Sequence, residues 1–179
     1  MTEKQHIASI VKSFKTRCPN NICDVFDFCD VPLTLIGWVS FRQVYQFGDL
    51  PLIVKFPTGP HGIDIEENIS HSVNEMDAIN RVKRYKKYTH IRKYLPKIYY
   101  YSDKTGIIVM HKYKQTDITE NNKVCREAEK EILDTMAKEF TIAGNCDIDL
   151  AKNFSINEDG SLTLIDWGIL GKKSNWHQS

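Results

Sequence analysis

Apolar residues recur along this chain with two different periods. Ile7, Ile10, Val11 and Phe14 fall at helical spacing and predict a short amphipathic helix over residues 5–15. Pro19, Asn20 and Asn21 then break the pattern. From Pro32 the period shortens. Residues 34–41, 43–47 and 50–56 are runs rich in Val, Ile, Phe and Tyr, with Gly48-Asp49 as a turn between the last two, and they predict a β-meander. Two Pro and two Gly mark residues 57–62 as a loop. Val73, Met76, Ile79 and Val82 follow at three-residue steps and predict a helix over 69–85. Residues 97–101 and 106–113 read as two further strands joined by the turn 102–105. The longest helical signal spans 122–142, with Ala128, Ile132, Met136 and Phe140 along one face. Short strands at 154–156 and 162–165 flank the turn Asn157–Gly160, and the polar tail from Gly171 is expected to fray. The order is three strands, a helix, two strands, a long helix and a short hairpin.

Composition narrows the class. The apolar fraction of 41% and the 19 aromatic residues suit a globular core. A net charge of +1 gives no global argument for nucleic acid or a membrane, so polar partners must be read from local patches. Five cysteines without a C-x-x-C pair argue for reduced thiols rather than zinc or a disulfide framework. Neither a secretory leader nor a membrane span is visible, so the expected location is cytoplasmic.

Three places carry candidate chemistry. Asn153 and Asp166 lie 13 positions apart, one before the first short strand and one after the second, so both side chains are expected at one end of the hairpin. An amide oxygen beside a carboxylate suits Mg²⁺, a hard cation that keeps waters and shares phosphate oxygens. A turn cap and a strand terminus are the plainer account of the same pair. Lys55 ends the apolar run Leu52–Phe56 and could simply reach solvent. If it instead meets Glu75 of the following helix, the ion pair is poised to hold phosphate oxygens. Glu66 and Glu67 compete for that role from the expected loop before the helical stripe.

These segments together resemble the protein kinases over roughly residues 34–170. Ile53-Val54-Lys55 looks like the family's V-A-I-K strand, Asn74-Glu75 like its αC glutamate, and Leu164-Ile165-Asp166-Trp167-Gly168 like D-F-G with Trp for Phe. Ile108-Val109-Met110-His111 is similar to the strand leading into the hinge, and the run from Gly37 to Val44 stands where the glycine-rich loop belongs. The resemblance implies an α+β, protein-kinase-like fold. Residues 1–31 form an N-terminal helical extension, 32–113 an antiparallel N-lobe with one αC-like helix, and 114–179 a much reduced C-lobe carrying the catalytic and metal loop. It further implies ATP and Mg²⁺ as cofactors. Lys55, Glu75, Gly37, Met110 and His111 would serve the nucleotide, and Asn153 and Asp166 the metal. The implied activity is phosphoryl transfer to a protein hydroxyl, Ser or Thr before Tyr.

The chain departs from the family pattern at two points. Val39 and Arg42 replace the second and third loop glycines, and Arg42 either reaches a phosphate itself or, as the favoured expectation, is a solvated strand residue. The family's catalytic aspartate precedes the metal asparagine by five residues, which falls here on Ile148 between Asp147 and Asp149. Either aspartate is then the candidate base, Asp149 before Asp147 because Leu150 follows it. Only 13 residues follow Asp166, and in this economy the chain resembles short kinase-like effectors of bacterial pathogens and phages, some delivered into a host cell. Arg81–Lys97 adds eight Lys or Arg with Tyr85, Tyr88 and Tyr94 among them and no acid. It is either a solvated helix end or a docking surface for an acidic protein, the substrate or a host protein. Two other function classes stay open: a pseudokinase scaffold that inhibits a partner, and a nucleic-acid binder using the basic stretch.

Overall fold

The computed structural model describes residues 1–39, 42–57, 65–114, 123–136, 140–142, 153–167 and 170–172. Two helices open the chain. Helix α1 (Glu3–Arg17) starts on a reciprocal cap, with Gln5 N donating to Thr2 Oγ1 and Thr2 N to Gln5 Oε1. It ends where Cys18 adopts a left-handed φ of 47° and donates to Phe14 O. A second, short helix, α2 (Ile22–Phe28), is capped by Asn21 and Asp24 in the same reciprocal way.

A five-stranded antiparallel sheet follows, ordered β1-β2-β3-β5-β4 from β1 (Leu33–Val39), β2 (Arg42–Phe47), β3 (Leu52–Phe56), β4 (Ile98–Tyr101) and β5 (Ile108–His111). Side chains alternate across a strand. Leu52, Val54 and Phe56 on β3 and Val109 on β5 therefore join Ile7, Ile10 and Phe14 of α1 and Val25 of α2 in one buried core. Phe14 is its centre, with ring contacts to Phe28, Phe47 and Tyr100 at 5.3, 6.1 and 5.4 Å.

Helix α3 (Ile65–Arg84) is the longest described element at 20 residues. The chain divides into two compact units within it: residues 1–73 with 97–112, and 74–96 with 113–179. In the second unit, a 3₁₀ segment (Lys86–Tyr94) leads from α3 toward β4, and α4 (Lys123–Met136) packs on that segment. Tyr94 Oη donates to Glu131 Oε2 at 2.5 Å, Lys93 pairs with Glu131 at 3.0 Å, and His90 Nε2 lies 2.9 Å from Thr135 Oγ1. Two small antiparallel pairs complete it, β6 (Phe140–Ile142) with β9 (Leu170–Lys172) and β7 (Phe154–Ile156) with β8 (Leu162–Leu164). Among the described residues no helix is long and apolar enough to cross a membrane.

Four expectations are corrected. The helix predicted to run to Ile142 stops at Met136 within the described residues, and Phe140–Ile142 forms strand β6; its β-branched and aromatic residues pair with β9. Gly171 and Lys172, expected to fray, are the partner strand. Glu66 and Glu67 lie within α3 rather than in a loop. Val73 is 38% exposed. Three-residue steps drift by about 60° each on a helix of 3.6 residues per turn, so Val73 ends up opposite Val82.

Candidate functional site

Lys55 owes its position to strand alternation. With Leu52, Val54 and Phe56 turned into the α1 core, Ile53 and Lys55 occupy the other face of β3. Lys55 stands opposite Val44 on β2 and Ile108 on β5, and Ile53 opposite Met110. Gly37 pairs with Val44 in the same row. Among the described residues, a Cβ at Gly37 would meet only Val44 Cβ, at 3.9 Å, so packing against them does not demand glycine there. Lys55 is 7% exposed and Met110 1%. A lysine head held this far from water among aliphatic neighbours is energetically justified only by polar company. The expectation that it simply reaches solvent does not describe it.

His111 is placed differently. It stands opposite Leu52, so its side chain takes the α1 face, away from the Lys55 row. There burial and the nearby Lys97 charge hold its imidazole below the ordinary value of 6.5. Arg42, expected to be solvated, is 5% exposed and shares the β2 face of Val44, two residues away. Sequence reasoning missed its burial because strand alternation does not reveal what covers an end residue.

In the second unit, Glu75 is fully buried on α3, on the helix face that also carries Met76, Ile79 and Val82. The hairpin β7–β8 sets the other candidate pair. Phe154 pairs with Leu164, and one step further Ile165 N donates to Asn153 O at 2.8 Å. Asn153 and Asp166 thus flank one closed end of the hairpin, as their spacing predicts. The opposite end is held by Gly160 at φ +80° and by Asn157, whose side-chain amide donates to Ser161 Oγ and Thr163 Oγ1. Trp167, fully buried, donates Nε1–H to Leu164 O at 3.0 Å and so fixes the chain just past Asp166. Ser155 Oγ donates to Lys114 O at 2.6 Å and ties the hairpin to the segment after β5.

Strands β6 and β9, which the sequence pattern did not show, bracket this hairpin. The chain leaves β6 at Ile142, whose partner is Leu170, and is described again at Asn153, which bonds Ile165. Asp147 and Asp149 lie between those points, outside the described residues. An amide oxygen and a carboxylate at one hairpin end are a donor set that fits Mg²⁺.

The basic stretch Arg81–Lys97 is largely taken up by the fold. Tyr88, Ile91 and Tyr94 are buried, and Tyr94 meets Phe154 edge-on at 5.8 Å. Arg92 donates to Val82 O and Tyr85 O, satisfying carbonyls at the end of α3. Arg81 pairs with Asp77, and Lys93 with Glu131. Lys83, Arg84 and Lys86 remain exposed.

No protein-family model matches the chain, and no curated protein matches it in sequence. Solved structures do. The chain is similar to WbdD, with a TM-score of 0.50 and 16% identity over 89% of this chain and 45% of that one. It is also similar to a choline/ethanolamine kinase family protein from Mesorhizobium loti, with a TM-score of 0.46 and 13% identity over 89% and 66%. The chain therefore spans less than half of WbdD and just under two thirds of the second protein. The fold is α+β and kinase-like, with a five-stranded antiparallel sheet.

Proposed function

We propose that this chain is a small Mg-ATP-dependent phosphotransferase acting on a protein hydroxyl, serine or threonine before tyrosine. The observation that carries the reading is the hairpin end, where the bond from Ile165 N to Asn153 O sets Asn153 across from the residue that precedes Asp166. Lys55, buried on the face of β3 shared with Val44 and Met110, supports it.

In this reading Lys55 holds α- and β-phosphate oxygens through its fixed positive charge, and Glu75 orients that lysine. Gly37 leaves the phosphate side open, while Met110 and the main chain of His111 face the base. Asn153 and Asp166 hold Mg²⁺, which when bound offsets charge on the transferring phosphoryl group. Asp149, or Asp147 in its place, accepts the proton as the acceptor oxygen attacks the γ-phosphorus. The bond from that phosphorus to the β–γ bridging oxygen then breaks and ADP leaves. The acceptor protein docks on the exposed lysines of the Arg81–Lys97 stretch.

The test is transfer of γ-labelled phosphate from Mg-ATP into proteins of a bacterial and a eukaryotic lysate, with Asp166→Ala beside the wild type. Label that needs Asp166 supports the reading. Nucleotide binding without label would leave a scaffold that holds ATP and inhibits a partner. Label unaffected by Asp166→Ala would overturn the site.

A further inference from the structure

The face of the sheet opposite Lys55 carries a concavity. Helix α1 and the sheet enclose a groove of about 590 Å³. Its helix wall is Ile7, Ala8 and Val11, and its far side is Pro51, Tyr99 and His111. Lys4, Lys12 and Lys15 line it from the helix, and Lys97 from just before β4. Positions 4, 8, 11, 12 and 15 share one face of α1 because they repeat at helical spacing. Glu3 is the one acid in the lining. Among the described residues, Lys4, Lys12 and Lys15 pair with no carboxylate. Lys97 lies 5.0 Å from the Tyr99 ring centre, which keeps its charge at the groove rather than away from it.

We infer that this groove is a docking site for an acidic, extended segment of a partner protein, with apolar residues between its carboxylates. Four lysines against one glutamate set the charge of the occupant. The aliphatic wall and Pro51 set its middle. Lys4 and Lys15 are 11 residues apart, so the lined length is about 16 Å at the helical rise. That length matches about five residues of extended chain. One phenol ring and one imidazole, Tyr99 and His111, offer no run of stacking platforms, which counts against a nucleic-acid strand. The inference stands independently of phosphoryl transfer.

The experiment is fluorescence anisotropy on the full chain with a labelled peptide, Asp-Glu-Leu-Val-Leu-Glu-Asp. Its comparators are the same peptide with Lys for each acid, the same with Ser for each apolar residue, and a short single-stranded oligothymidylate. The acidic apolar peptide is expected to bind at least about tenfold more tightly than each comparator. Charge reversal of Lys4, Lys12 and Lys15 to Glu is expected to weaken it about tenfold or more. Ala8→Trp, which fills the groove without changing charge, is expected to weaken it several-fold, with circular dichroism and melting midpoint retained. Reversal of Lys83, Lys86 and Lys87 is expected to leave this binding unchanged. Equal affinity for the Ser peptide, tighter binding of the oligothymidylate, or an equal loss in the Lys83, Lys86 and Lys87 variant would each overturn the proposal.

Discussion

Single residues show how burial redirects chemistry that a sequence only hints at. Trp167 is buried to the last atom and spends its one polar group on Leu164 O. Trp167→Phe removes that bond and part of the ring volume, and is expected to lower stability by about 1–3 kcal/mol, read from urea unfolding at unchanged slope. His111 makes a prediction of opposite character. Its depressed value in the folded chain means that the unfolded chain binds the proton first as pH falls. Stability is therefore expected to decline from about pH 7.5 toward about pH 5, and His111→Gln to flatten that part of the profile, measured as denaturation midpoints. The places of Lys55, Asn153 and Asp166 in the fold were legible because each sits at the edge of an apolar run. The burial of Arg42 and the turning of His111 toward α1 were not, because both depend on what packs over the sheet.

At the scale of elements, close approach matters more than propensity. Gly106 has φ +65°, and a Cβ there would lie 3.1 Å from Pro57 Cγ, 3.2 Å from Ile69 Cα and 3.3 Å from Ser72 Cβ. The β4–β5 turn thus sits directly against the first turns of α3. Gly160 has φ +80° with none of the described residues within 4 Å of such a Cβ. Ala at Gly160 is expected to cost about 1 kcal/mol from backbone strain alone, and Ala at Gly106 about 3 kcal/mol or more, by equilibrium unfolding. Equal costs would mean that the turn does not bear on α3. The sheet was readable because its strands are long apolar runs separated by turn residues. The 3₁₀ segment, α2, β6 and β9 escaped for the reverse reason. Strands β6 and β9, at three residues each, carry no period, and Phe140 happens to continue the four-residue spacing of Ala128, Ile132 and Met136; α2, at seven residues, spans only about two turns, and the 3₁₀ segment does not follow the 3.6-residue repeat.

For the whole molecule, a net charge of +1 hides an uneven distribution: lysines along α1 that pair with no carboxylate among the described residues, and structural cations after α3 that serve carbonyls and carboxylates. Weak motifs standing in the right order anticipated the kinase-like α+β fold, because the succession of strands and helices that carries them survives even where boundaries shift. The pairing of β6 with β9 did not follow from order, since Ile142 and Leu170 are joined only through space. If the nucleotide reading holds, Mg-ATP at a hundredfold excess over its Kd adds about 2.7 kcal/mol of stability. A thermal scan should then show a higher midpoint for wild type and none of that gain for Asp166→Ala; an equal gain in both would detach the metal from Asp166. Trp167 also gives the molecule a built-in optical probe. Its indole is shielded from water and adjoins Asp166 in the chain, so with Trp38 and Trp176 exchanged for Phe its emission spectrum becomes a dye-free report on the hairpin end. Titrating the intact protein with Mg²⁺, nucleotide or both, and following one intensity, would then resolve the order in which they load.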